Sequence, residues 1–171
     1  MLYQATLKLA TDGWSVWAMA RDANRLNRLA QDTSIKAGIV IPLPVDYCDG
    51  DQLKTMTKKA MLESGGFTMA LCWIHQHSKA PEAPGIIARQ VSLPGKPFDY
   101  YDIVGSGQHS NELDQVKIES ELASIPGLVY HKIVLGSILE GSSCRWLTDN
   151  EISMGVIAAI NSGASLTLVG N

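Results

Sequence analysis

The sequence predicts an open, doubly wound α/β fold: a parallel sheet with helices on both faces, in a single domain over residues 1–171. Three observations predict it. Helical and extended stretches alternate almost to the end of the chain. The extended stretches are apolar along nearly their whole length rather than at every second position, as strands covered on both faces are. Most helical stretches also carry their own punctuation, a capping Asp or Thr in front or a glycine behind.

Residues 1–12 read as a helix with Leu2, Ala5 and Leu9 on one face, stopped by Gly13. The almost wholly apolar stretch 14–20 follows as a strand. Asp22 caps a second helix to about residue 32, with Leu26, Leu29 and Ala30 facing inward. Residues 39–45 form the next strand, whose Pro42 and Pro44 cannot donate to a ladder and so put it at a sheet edge. Asp49 or Asp51 starts a helix bearing Leu53, Met56 and Ala60, closed by Gly65 and Gly66. The strongly apolar run 67–74 is expected to be a central strand.

Pro81 and Pro84 suit the first turn of a helix that runs to about Val91. A strand over 99–104 ends in Gly105, Ser106 and Gly107, and an amphipathic helix over Glu112–Ala123 carries Leu113, Val116 and Leu122. Residues 128–136 are a further strand. Thr148 and Glu151 form a capping box for a helix continued by Ile152, Val156, Ala159 and Ile160 and closed by Gly163, before a last strand at 165–169. Trp14, Trp17, Trp73 and Trp146 read as packing residues.

Bulk properties narrow the function. The chain has 171 residues, 46% hydrophobic and 18% charged, which suits a soluble globular domain able to bury a core. The net charge is −3 and the basic residues are scattered, so no patch suited to nucleic acid or an anionic membrane is present. Cys48, Cys72 and Cys144 lack the spacing of a metal set and read as reduced thiols. No apolar run approaches a membrane span and no signal-peptide pattern opens the chain, so a cytoplasmic location is expected.

A helix, a strand and then Arg21 is the order of elements that follows the glycine-rich turn of a dinucleotide-binding unit. Here the chain opens directly on the helix. In that topology the first strand stands in the middle of the sheet, and the proline-bearing strand 39–45 fits the edge position. The expectation is a sheet that lacks its first strand and glycine-rich loop. Its second and fourth strands must then pair directly or leave a gap, at a cost in stability.

Met1-Leu2, Ala20-Arg21-Asp22, the run from Val45 to Asp49, Cys72-Trp73-Ile74-His75 and Trp146-Leu147-Thr148 with Glu151-Ile152 carry a resemblance over essentially the whole chain. The pattern resembles the short-chain dehydrogenase/reductase superfamily, with its Rossmann-like fold. More narrowly, it resembles an atypical bacterial group in which Met-Leu directly follows a Gly-Gly-Thr-Gly type turn. The resemblance implies an NAD(P)-dependent oxidoreductase whose partners are a dinucleotide and a small-molecule substrate, with a homo-oligomer open and neither nucleic acid nor membrane expected. It places Met1 inside the phosphate-binding turn.

It also implies cofactor-binding roles. Arg21 follows the strand where the ribose 2′ position would lie, and a guanidinium there selects the 2′-phosphate of NADP over NAD. Arg25 adds to that charge. The alternative is that both arginines lie on a solvated helix face. Asp46 matches the acidic residue near the adenine amino group, or is an ordinary turn or capping Asp. Met1 and Leu2 fall at the pyrophosphate, and Cys72, Trp73 and Ile74 fall beside the nicotinamide ribose, where only the backbone position carries over.

Catalysis departs from the family's pattern. Ser106 follows the fifth strand as the family's serine does. Yet Tyr3, Tyr47, Tyr100, Tyr101 and Tyr130 all lack a Lys four residues on, and the helix bearing Lys117 has no tyrosine. Ser106, His75 and Lys117 are the remaining catalytic candidates, with His77 and His109 as further proton donors near neutral pH. The pair His75 and His77 lacks a third ligand for a metal. Two other readings stay open: a dinucleotide-binding or redox-sensing protein without catalysis, and an inactive truncated gene product.

Overall fold

A computed structural model describes residues 1–33, 37–74, 79–93, 95–106, 112–141 and 143–171, with only the backbone of residues 112–115. Helix α1 (Tyr3–Thr11) ends in a turn at Gly13, whose φ of 94° suits glycine, and leads into β1 (Ser15–Ala20). Asp22 caps α2 (Ala23–Asp32) by accepting from the Arg25 amide at 3.0 Å. Strand β2 (Ile39–Pro44) follows, and then α3 (Gly50–Ser64), capped by Asp49 and closed by the left-handed Gly65. Of the two aspartates that could have started α3, Asp49 does so.

Strand β3 (Met69–Cys72) leads to α4 (Ala83–Val91), which has Pro84 in its first turn, then β4 (Phe98–Gly105), α5 (Glu112–Ala123) and β5 (Leu128–Leu135). A hairpin of β6 (Ser137–Glu140) and β7 (Ser143–Trp146) precedes α6 (Asp149–Ser162), whose Thr148–Glu151 capping box forms as the sequence predicts, and β8 (Leu166–Val169). Gly155 lets α6 close on β8: a Cβ there would stand 2.4 Å from a Val169 methyl. No helix among the described residues is long and apolar enough to cross a membrane.

The strands that follow crossover helices pair in parallel, in two sheets. β1 pairs with β2, and β3-β4-β5-β8 form the second sheet. Residue parity assigns the two helical layers. Tyr101, Ile103, Ile133 and Leu135 face α1 and α6, where they meet Ala5, Ile152, Val156 and Ala159. Cys72, Phe98 and Tyr100 face the other way, against Ala88 and Val91 of α4 and Ile118 and Leu122 of α5.

The helices bridge the two sheets. On one face, α1 packs Ala10, Leu7 and Tyr3 with Val16, Ala18 and Val40, and packs Ala5 and Leu2 with the β3–β5 cluster. On the other, Leu53, Met56 and Ala60 of α3 pack with Trp17, Met19 and Leu43 and also with Phe67 and Ile74. Trp17 meets Phe67 edge to face, with ring centroids 6.3 Å apart.

Several expectations need correction. The run 67–74 yields a strand of four residues that is the outer member of its sheet rather than a central one, because its side away from β4 has no ladder partner among the described residues. β1 and β3, expected either to pair directly or to leave a gap, do not pair and stand in separate sheets. On α5, Val116 is exposed and Ile118 takes the inward position, since Ile118 and Leu122 are four apart and share a face. Trp17 and Trp73 pack, but Trp14 stands exposed in the turn before β1 and Trp146 stands exposed at the end of β7.

Candidate functional site

The carboxyl ends of parallel strands carry the loops that meet ligands in such sheets. β1 and β2 run in register with Ala20 beside Pro44, and the Val45 amide extends the pairing by donating to the Ala20 carbonyl at 3.0 Å. Arg21 and Asp46, the residues just beyond, therefore come side by side, with Nη1 4.0 Å from Oδ2. Asp46 is fixed by its surroundings: Oδ1 accepts from the Cys48 amide at 3.0 Å, and its own amide donates to Gln52 Oε1 at 2.9 Å. Arg21 is 70% exposed, so its ion pair contributes at most about 1 kcal/mol and leaves the guanidinium available to a stronger anion.

Arg25 lies one turn further on, with Nε 3.6 Å from Asp22 Oδ2, and its side chain is solvated. It therefore belongs to the cap of α2 and stands close to Arg21 in sequence without forming a contact pair with Asp46.

α1 runs antiparallel to β1, so its first turn lies at the same carboxyl edge as Arg21. The Met1 amino group stands 3.5 Å from Asp149 Oδ2, and the Met1 carbonyl accepts from Ser153 Oγ at 3.0 Å. The Leu2 carbonyl accepts from the Thr6 amide and starts the helix. The N-termini of α1 and α6 thus meet, and both direct helix dipoles toward this edge.

At the end of β3 the three residues part company. Cys72 is buried against Tyr100, and burial pushes its thiol up to about 12, moderated by the Tyr100 hydroxyl. Trp73 packs on the α1 and α6 side. Ile74 is turned into the core beneath α3 and α4, so its side chain is not available to a ligand and only backbone can be. Ser106 directly follows β4 at the same edge, half-buried, its amide donating to the Leu135 carbonyl at 2.8 Å.

Lys117 is exposed on α5, one position before the buried Ile118. His75, His77 and His109 lie outside the described residues. Three tyrosines of the sheet serve packing. Tyr100 is fully buried, with its hydroxyl pushed up by desolvation, Tyr130 donates to Asp102 at 3.0 Å, and Tyr101 stacks on His131 with centroids 4.3 Å apart. No group of three or more metal-ligating side chains occurs among the described residues.

Two features went unseen in the sequence. Gln52 anchors Asp46, and its position three residues after the capping Asp49 was the available signal, since an N3 Gln reaches back over its helix start. Arg145 of β7 pairs within the hairpin with Glu140 of β6 at 2.6 Å and joins the hairpin to α6 through Glu151 at 2.8 and 2.9 Å. That pairing holds the Glu151 carboxyl down to about 2.

The sequence matches no family model and no curated protein. Solved structures match it throughout. A short-chain dehydrogenase/reductase mutant from Serratia marcescens superposes with a TM-score of 0.68 at 11% identity, over 98% of this chain and 91% of that one. A metagenomic short-chain oxidoreductase in complex with NADP gives a TM-score of 0.64 at 15% identity, over 100% and 92%. An NADH-dependent reductase complexed with NAD gives 0.66 at 10% identity, over 99% and 89%.

The fold is that of the short-chain dehydrogenases/reductases. It agrees with the resemblance read from the sequence and accounts for the carboxyl-edge position of Arg21, Asp46 and Ser106.

Proposed function

We propose that this protein is an NADP-dependent oxidoreductase of the short-chain dehydrogenase type that moves a hydride between the dinucleotide and a small-molecule substrate. The observation that carries the reading is the Arg21–Asp46 pair at the carboxyl edge of β1 and β2. Arg21 supplies a planar guanidinium for a 2′-phosphate, while Asp46 supplies an acceptor for an exocyclic amine. The Gln52 and Cys48 contacts hold Asp46 in place for that purpose. The solved structures holding NADP and NAD in the same fold support the cofactor class.

The residues fit the 2′-phosphoadenosine half of the dinucleotide best. Arg21 and Asp46 would hold that half, with Arg25 adding positive charge. The first turn of α1 at Met1 and Leu2 would face the pyrophosphate with its helix dipole, although residues 1–12 contain no glycine to form a close backbone cradle. The backbone at Cys72, Trp73 and Ile74 would border the nicotinamide ribose. NADP, when bound, supplies the hydride chemistry. Ser106 would orient the substrate oxygen, and His75 or Lys117 would handle the proton.

A second reading, dinucleotide binding without turnover, is favoured by α5, which carries Lys117 but no tyrosine. Titration with NADP and NADPH, followed by NADPH oxidation on a panel of aldehydes and ketones, separates the two. Binding with turnover supports the oxidoreductase. Binding without turnover on any member supports the second reading, and absence of binding contradicts both.

A further inference from the structure

We propose that His131 is a proton-gated clamp: with a proton on each ring nitrogen it fastens the turn between α6 and β8 to the sheet, and loss of one proton releases that turn. Strand register sets the placement. His131 of β5 stands beside Tyr101 of β4, and Asp99, two residues earlier on the same face, is its diagonal neighbour. The histidine is 4% exposed. Its Nε2 lies 3.0 Å from Asp99 Oδ1, and its Nδ1 lies 2.9 Å from the carbonyl of Ala164, in the turn that follows Gly163.

Proton counting decides what these two contacts require. A backbone carbonyl and a carboxylate only accept, whereas a neutral imidazole donates from one nitrogen and accepts at the other. Neutral His131 therefore satisfies one partner and sets a lone pair against the other. The imidazolium donates to both, from Nδ1 to Ala164 and from Nε2 to Asp99. The Tyr101 ring lies flat on the imidazole, with centroids 4.3 Å apart and planes 11° apart, a contact that an aromatic face offers to a cation.

Asp99 is the one charged side chain on the ring among the described residues. Tyr101 is the other titratable neighbour, and burial, then the Asp99 charge, pushes its hydroxyl up. That hydroxyl points to the Ile160 carbonyl at 3.5 Å. Lys132 projects to the opposite face and donates to Glu119 at 2.7 Å. In α1, which packs on α6, Lys8 and Asp12 pair with each other. From Ile152 to Asn171 the chain carries no charged side chain, so His131 gives this segment a charged fastening that it cannot supply itself. The effect has a sign: the stability is present while the ring is charged and is lost as pH rises through its titration. The released turn ends α6, whose other end carries the Thr148–Glu151 capping box. The proposal is independent of the cofactor reading, since it concerns the opposite end of the sheet.

The test is a series on the full chain from about pH 5 to about pH 10, read by nitrogen-15 NMR of the imidazole and by hydrogen exchange. Both His131 nitrogens are expected to be protonated at the low end and one at the high end. Over that same step the amides of residues 160–169, corrected for intrinsic rates, are expected to lose protection roughly tenfold, while those of β4 keep theirs. Asp99→Asn is the decisive variant, because its amide donates to a neutral ring: protection should then stay high across the series. His131→Phe keeps the stack on Tyr101 but lacks both bonds, so protection should be low throughout. A single protonated nitrogen at the low end, protection that does not change as the second proton leaves, or a step that survives Asp99→Asn overturns the proposal.

Discussion

Replacing Arg21 by alanine isolates the 2′-phosphate contact. The side chain is 70% exposed and its pair with Asp46 spans 4.0 Å, so losing that pair alters folding stability by less than about 1 kcal/mol. A charge-assisted hydrogen bond to a phosphate contributes about 1.5–3 kcal/mol, and solvent exposure favours the lower end. The expected loss in NADP affinity is therefore roughly tenfold or slightly more. Asp46 acts in the same direction, because its carboxylate then faces the phosphate without the guanidinium between them. NAD has no 2′-phosphate, so its affinity should change by less than about twofold on the same reasoning. Calorimetric titration of both cofactors into wild type and Arg21→Ala measures the ratio. Equal losses for NADP and NAD, or no loss for either, would refute the assignment of Arg21.

Two further predictions concern the scaffold. Leu122 is fully buried and Val116 exposed on the same helix, so Leu122→Ala should cost about 2–4 kcal/mol in urea denaturation and Val116→Ala less than about 0.5 kcal/mol. Glu151 is held down to about 2 from an ordinary 4.5, chiefly by Arg145, so its contribution to stability is present above about pH 4.5 and lost as pH falls toward 2. Arg145→Met should flatten that acid-side slope in a Tm-against-pH profile, and an unchanged slope would contradict the pairing.

What the sequence made legible follows from how local each signal is. Asp22, Asp49 and Thr148 cap their helices through bonds within three residues, and Gly13 and Gly65 take backbone angles that glycine alone adopts easily. The edge position of 39–45 followed from its prolines, which need no tertiary knowledge. The hairpin of β6 and β7 did not show, because its two strands of four residues are tied to each other by Arg145 and Glu140 and to α6 by Arg145 and Glu151, contacts that spacing does not reveal. The edge status of β3 was misread because apolar composition reports covered faces and says nothing about which lateral neighbours are present.

At the site, the meeting of Arg21 and Asp46 was foreseeable, since residues following adjacent parallel strands fall side by side. The inward turn of Ile74 was not. Its fate depends on where α3 and α4 close over the end of β3, which only the packed structure decides.

Phosphorus NMR of NADP titrated with the protein tests the central claim most directly, because it reads the 2′-phosphate and the pyrophosphate separately. The account predicts that the 2′-phosphate resonance shifts on adding wild-type protein and fails to shift with Arg21→Ala, while the pyrophosphate responds similarly to both. A pyrophosphate response with an unmoved 2′-phosphate, or a 2′-phosphate shift that survives Arg21→Ala, would contradict it.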